Sequence, residues 1–325
     1  MRCFVTGAAG FIGSHLVEHL LAEGHEVIGL DNLSTGRKAN LAAVASHPRL
    51  ALMHGSVLDS RTVGMLAAGS DRVFHLAAAV GAFVIRDRTL DSLRTNIHGT
   101  ENVVAAASQH AARLLIASTS EIYGKNDALG LKEDDDRIIG SPLRSRWSYA
   151  EAKAIDESLV DAYVQELGLR AVIVRLFNTV GPRQTGRYGM VIPRFVRQAL
   201  TGQPLTVFGT GQQIRCFCHV LDVVPALVRL ADSDEACGLA VNLGSSEQVT
   251  IAELAGRVIA ATGSDSAIEH SSYLDAYGSG YEDMQRRVPD CTLAGRLVGF
   301  QTTRSLDDII RSVIADQQSL APAAA

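Results

Sequence analysis

Tyr149 and Lys153 stand four residues apart in Tyr149-Ala150-Glu151-Ala152-Lys153. On a helix that spacing puts a phenol and an ammonium on one face. A phenol with a pKa near ~10 is a poor base at neutral pH. A neighbouring Lys153 cation favours the phenolate. Tyr149 is then able to take a hydroxyl proton while hydride leaves the same carbon for an acceptor. Taken alone, the pair equally describes two exposed positions on a helix. Upstream, Ser118-Thr119-Ser120-Glu121 ends a strand-like run. Hydroxyls of Thr119 and Ser120 there face the crevice of an open α/β sheet, beside Tyr149, or simply cap the strand end. Glu121 adds a group for general acid–base work, or a carboxylate that bonds a backbone amide.

The redox partner is legible at the N-terminus. Thr6-Gly7-Ala8-Ala9-Gly10-Phe11-Ile12-Gly13 follows one strand-like run and opens a helix-like one. A dinucleotide pyrophosphate rests on a helix N-terminus, where free N–H groups and the helix dipole favour an anion. Side chains block that approach, so Gly7, Gly10 and Gly13 suit it. A glycine-rich turn is the competing reading, and the position between strand and helix argues against it. Asp31 ends the second strand about 20 residues on, where a carboxylate accepts from ribose hydroxyls and repels a 2′-phosphate. That selects NAD over NADP, unless Asp31 merely starts a turn with Asn32.

These residues need a frame of strands and helices. Strand-like runs at 2–5, 26–30, 50–53, 72–76, 113–118 and 171–177 alternate with helical stretches at 13–22, 89–108 and 149–167. That rhythm argues for an α/β fold: a Rossmann-like, doubly wound parallel sheet. It breaks after Asn178. Helices are still expected at 191–200, 220–231 and 306–317, with a strand at 205–208. The polar stretch 264–287 reads as loop. We expect residues 1–178 to form mainly the NAD-binding domain. Residues 179–320 are expected to form mainly a smaller substrate-binding region, with some return of chain to the sheet, and 321–325 a frayed tail.

The 325 residues carry 47% hydrophobic and 20% charged side chains and a net charge of −5. This suits a globular protein and gives no general electrostatic case for nucleic acid or an acidic membrane. No signal peptide is read in the opening strand, and no apolar run reaches the ~18 residues of a membrane span. Five cysteines without CxxC spacing read as reduced thiols of a cytoplasmic protein. His15-Leu16-Val17-Glu18-His19 matches a zinc-protease pattern. It lies on the glycine-loop helix, so no metal is expected there, nor at Cys216 and Cys218. Asp134-Asp135-Asp136 reads as a solvated loop.

Together the chain resembles the extended short-chain dehydrogenase/reductase family, of the NAD-dependent epimerase/dehydratase type, over nearly its whole length. The resemblance rests on the glycine loop, Asp31-Asn32-Leu33-Ser34, His75-Leu76-Ala77-Ala78, Asn96 with Gly99-Thr100, and Ser120-Glu121-Ile122-Tyr123-Gly124. It continues through Tyr149 and Lys153 to Arg175-Leu176-Phe177-Asn178. It implies catalytic roles for Tyr149, Lys153, Thr119, Ser120 and Glu121. It implies NAD contacts from Gly7, Ala9, Gly10, Phe11, Ile12, Gly13, Asp31, Asn32, Ser34, Gly36, Val57, Leu76, Ala77 and Ala78, besides Tyr149 and Lys153. Ser56 stands where many relatives carry the Asp that contacts adenine. Substrate contacts are implied for Arg146, Asn178, Val191, Arg215 and Arg287, with residues 191–195 and Phe208 walling the base. Arginine suits a diphosphate because its planar fork binds two oxygens.

Family members act on nucleoside-diphosphate sugars through a 4-keto sugar, often as homodimers. Ring flip and re-reduction give 4-epimerisation, loss of a C6 hydroxyl gives 4,6-dehydration, and a C6 carboxylate β to the ketone leaves as carbon dioxide. The Ser-x-Glu-x-Tyr-Gly form around Glu121 resembles dehydratases and decarboxylases. Residues 131–149 are similar to UDP-apiose/xylose synthases and to UDP-glucuronate decarboxylases, where Arg146 meets a hexuronate carboxylate. Residues 79–83 lack the cysteine of the apiose-forming enzyme. The leading expectation is decarboxylation of UDP-glucuronate, with a UDP-sugar 4-epimerase or 4,6-dehydratase as alternatives. A non-catalytic NAD-binding regulator is the reading from another class.

Overall fold

The computed structural model describes residues 1–277 and 282–320; the expected frayed tail, 321–325, lies outside them. In chain order the strands are β1 Arg2–Thr6, β2 Glu26–Asp31, β3 Leu50–His54, β4 Arg72–His75, β5 Arg113–Thr119, β6 Ala171–Leu176, β7 Thr179–Val180, β8 Leu205–Phe208, β9 Ile214–Cys216, β10 Cys218–His219, β11 Ala240–Leu243, β12 Gln248–Thr250, β13 Ile268–Ser271 and β14 Arg286–Arg287. The α-helices are α1 Phe11–Ala22, α2 Ser60–Ala67, α3 Ala82–Asp87, α4 Thr89–Gln109, α5 Ser145–Leu167, α6 Val191–Leu200, α7 Val220–Asp232, α8 Ile251–Thr262, α9 Tyr273–Tyr277, α10 Thr292–Val298 and α11 Leu306–Leu320.

Seven strands pair in the order β11-β6-β5-β4-β1-β2-β3. Every pair is parallel, as in β1 with β2, where Cys3 faces Val27, and β1 with β4, where Val5 faces Phe74. Successive side chains of β1 point to opposite faces. Cys3 and Val5 pack with Leu16, Leu20, Val223 and Leu227 of α1 and α7. Phe4 packs with Val63, Leu66, Val103, Val104 and Val160 of α2, α4 and α5. Helices on both faces explain why the central strands are apolar throughout. Strand order reverses between β1 and β4, which opens a crevice at their carboxyl ends.

A second core joins α6, α8 and α11 through Ile192, Phe195, Leu254, Val258, Ile309 and Val313. It is flanked by two small sheets, β12-β9-β14 and β13-β8. The chain returns from this region to the main sheet as β11, beside β6. The stretch 264–287 is not plain loop: it carries β13, α9 and β14. Ile268, Glu269 and His270 of β13 are all exposed, so no alternation marks that strand. α5 starts at Ser145, four residues before Tyr149, and α1 starts at Phe11, inside the glycine loop. No described helix is long and apolar enough to cross a membrane.

Candidate active site

The glycine loop turns directly from β1 into α1. Gly7 has φ +70°, and a Cβ on it would meet Ala77 N at 2.8 Å. On Gly13 a Cβ would lie 2.0 Å from Gly7 O. No side chain caps α1, and no acid sits in its first turn. The helix thus presents unmatched N–H donors beside a surface kept bare of side chains, which fits an anionic pyrophosphate. Asp31 is buried at the end of β2. Its Oδ2 accepts from Ala9 N at 2.9 Å and its Oδ1 from Leu33 N at 2.7 Å. The carboxylate therefore ties the loop to the next turn, with lone pairs left for a ribose. A Cβ on Gly36 would come within 2.9 Å of Asp31 Oδ2. Asn32 Oδ1 accepts from Ser34 N at 3.0 Å. Ser56 is spent locally: its Oγ accepts from Leu58 N at 3.2 Å. Val57 is buried against Gly99.

A cleft of ≈ 570 Å³ opens at the strand ends. Phe11, Ile12, Leu76, Ala78, Thr119, Ser120, Glu121, Arg146, Tyr149 and Asn178 belong to its wall. Val191, Phe208, Arg215 and Arg287 complete it. Residues 31–57, the remaining loop glycines and Lys153 lie outside that wall. Ala77 N donates to Thr6 Oγ1 at 3.2 Å, which fixes the backbone beside Gly7.

Thr119 closes β5, and its hydroxyl bonds both Glu121 N, at 3.2 Å, and the Tyr149 phenol. Ser118 instead donates to Glu157 on the far side of the strand. Ser120 is buried in the short 3-10 turn Ser120–Tyr123 that β5 leads into. Burial pushes the Tyr149 phenol well up, and the Glu121 and Asp156 carboxylates push it further. Lys153 is itself buried, and its Nζ donates to Asp156 Oδ2 at 3.0 Å, so its charge is already matched.

Glu121 sits between two arginines. Its Oε2 accepts from Arg146 Nη1 at 2.6 Å, and its Oε1 from Arg287 Nη1 at 3.3 Å. Burial opposes ionisation, but Arg146 and Arg287 outweigh it and hold the carboxyl at about 2. A carboxylate so clamped is a weak base as it stands. Arg287 also donates to Asn178 Oδ1, while Asn178 Nδ2 donates to Cys216 O at 2.8 Å. Asn178, at φ +32°, thus positions Arg287. Arg215 Nη2 donates to Asp283 Oδ1 at 2.9 Å. Tyr273 Oη donates to Asp283 Oδ2 at 2.6 Å, and Gln213 Nε2 donates to Tyr273 Oη at 3.0 Å.

Gln213, Tyr273, Asp283 and Asp156 were not singled out in the sequence, and Arg194 entered only within the range 191–195. Gln213 and Arg215 share one face at i, i+2, and Asp156 follows Lys153 at i+3; both spacings were available signals. Tyr273 and Asp283 fall in the stretch read as loop. The Arg194 guanidinium stacks 4.3 Å from the Phe208 ring centroid. The zinc pattern dissolves: His15 Nε2 bonds Pro182 O at 3.1 Å and His19 pairs with Glu23. Among the described residues no group of His, Cys, Asp or Glu is arranged to hold a metal. Burial pushes the Cys216 thiol up to about 12.

Comparison with known proteins agrees with this geometry. Residues 3–244 match the NAD dependent epimerase/dehydratase family. A UDP-N-acetyl-alpha-D-glucosaminuronate decarboxylase of Bacillus cytotoxicus is 38% identical over 96% of each chain. The UDP-glucuronic acid decarboxylase 1 of Danio rerio is 34% identical over 96% of this chain and 72% of its own. The solved UDP-glucuronic acid 4-epimerase of Bacillus cereus, in complex with UDP-glucuronic acid and NAD, superposes with a TM-score of 0.89. It is 26% identical and covers 99% of this chain and 100% of its own. A dinucleotide loop on a seven-stranded parallel sheet, and relatives aligned along almost the full length, lead to one conclusion: the chain belongs to the NAD-dependent epimerase/dehydratase family of enzymes.

Proposed function

We propose that this NAD-dependent enzyme oxidises C4 of a UDP-hexuronate, UDP-glucuronate or its N-acetylated relative, and releases the C6 carboxylate as carbon dioxide. The carrying observation is the Arg146–Glu121–Arg287 cluster in the cleft that holds Tyr149. The cluster brings two guanidinium forks to the cleft beside Tyr149, a group that suits a carboxylate of the substrate. The relatives support the same class, since each of the three carries a hexuronate in its name.

The glycine loop and the N-terminus of α1 would hold the pyrophosphate of NAD, and Asp31 its adenosine ribose. NAD, when bound, supplies the acceptor that takes hydride from C4 and later returns it. Tyr149 Oη takes the C4 hydroxyl proton, and the Thr119 hydroxyl holds that oxygen in line. Arg146 holds the C6 carboxylate, which is now β to a ketone. Glu121 shares Arg146, so the carboxylate is oriented without being locked. The C5–C6 bond breaks, its electron pair enters the enolate at C5 and C4, and carbon dioxide departs. C5 then takes a proton. Arg215 and Asn178 with Arg287 line the diphosphate side, and Val191 with Phe208 the base.

A second reading is 4-epimerisation of the same UDP-hexuronate, favoured by the solved 4-epimerase that superposes here. Incubation with each UDP-hexuronate, followed by mass analysis, separates the two. Loss of the mass of carbon dioxide is expected; unchanged mass with a new diastereomer supports epimerisation, and loss of water a 4,6-dehydratase. We also infer a homodimer. Leu90, Leu93 and Ile97 on α4 and Ile155 and Leu159 on α5 form an apolar stripe at least partly open to solvent, on helices that pack together. Five free thiols support a cytoplasmic site, which recovery of the protein outside the cytoplasm on fractionation would contradict.

A further inference from the structure

Asp156 lies one turn beyond Lys153 on α5 and is fully buried. Its Oδ2 accepts from Lys153 Nζ at 3.0 Å and from Thr100 Oγ1 of α4 at 3.1 Å. Thr100 Oγ1 also meets His75 Nε2 of β4 at 3.0 Å, and His75 Nδ1 meets Thr6 Oγ1 of β1 at 2.7 Å. Thr6 Oγ1 accepts from Ala77 N, beside Gly7. One buried chain of polar groups therefore runs from the lysine of the Tyr149 pair to the glycine loop. Burial first, and Lys153 second, hold His75 down to about 3, so it is a neutral bridge at working pH. Asp156 Oδ1 is buried with no protein partner.

We propose that Asp156 is a positioning residue: it fixes Lys153 on the Tyr149 face of α5 and offsets its charge, so that the Tyr149 phenol keeps its proton until the cationic nicotinamide is in place. The inference rests on Tyr149 being the proton acceptor. The charged groups around this set are Lys153, Asp156 and Glu157 on α5, and Glu121 beyond β5 with Arg146 and Arg287 on it. Glu157 is occupied by Arg175 at 2.8 Å. Glu121 is occupied by its two arginines. Among the described residues, Lys153 is the cation that pairs with Asp156.

Asp156→Asn removes the offset and keeps the shape. Ultraviolet difference titration of the purified holoenzyme reads tyrosine ionisation without substrate. Asp156→Asn should show one phenol titrating at lower pH than in the parent, by about one pH unit or more. Adding Tyr149→Phe should abolish that phenol. The acid limb of the kcat profile should move down by a similar amount, with KM changed little. Superimposable titrations overturn the proposal, as does a kcat loss without any shift of the limb. If Asp156→Asn does not fold, Thr100→Val, which removes the hydroxyl donated to Asp156, should shift the phenol the same way by less; no shift there overturns it equally. The titration needs no turnover, so it stands or fails apart from the hexuronate reading.

Discussion

Glu121 joins side chains that are far apart in the chain, Arg146 and Arg287, and each was legible only as a residue type near a motif. Their mutual pairing was not, because Arg287 reaches Glu121 through a two-residue strand, β14, pairing with β9. No periodicity announces a strand that short. The Tyr149–Lys153 spacing was legible, but not that Asp156 would claim the lysine, since burial decides which neighbour counts. In the proposed reaction Arg146 holds the substrate carboxylate. Arg146→Met should raise KM for a UDP-hexuronate by roughly 10- to 100-fold, the worth of a charge-assisted hydrogen bond. Inhibition by free UDP should stay within about twofold, because the diphosphate contacts lie elsewhere. An unchanged KM in steady-state kinetics would remove Arg146 from the carboxylate site.

Most elements of the nucleotide-binding half follow from local signals. Apolar runs gave β1 to β6, and α4 and α5 show helical periodicity. Two elements escaped: β13 is exposed, and α8 is capped by Thr250, whose hydroxyl accepts from Glu253 N at 3.1 Å, a cap signature the sequence carries. At this scale His75 links β4 to α4, and its titration contributes to acid stability. Its folded value is about 3, below the ordinary ~6.5 of the unfolded chain. The unfolded state therefore binds the extra proton first. The contribution is complete above about pH 6.5 and is lost as pH falls toward 3. The melting temperature should fall between about pH 7 and pH 5, and fall less in His75→Asn. Equal slopes for the two proteins in calorimetry would show that His75 does not carry this dependence.

At the level of the whole molecule, two cores meet over one cleft, and the chain returns to the sheet at β11. The rhythm of strands and helices changes after Asn178, where β7 and α6 follow β6. The cleft itself was not legible in the sequence, since it exists only where the two regions close on each other. The apolar stripe on α4 and α5 predicts a dimer by light scattering. Ile155→Asp should shift it toward monomer, and a monomeric parent would contradict the assignment. The net reaction tests the account most directly. Carried out in D2O with a UDP-hexuronate, decarboxylation through a 4-keto sugar must place a solvent deuteron on C5 as carbon dioxide leaves. Proton NMR of the product should show a UDP-pentose with one deuterium at C5. A hexuronate of unchanged carbon count, epimeric at C4 and free of deuterium at C5, would contradict the account.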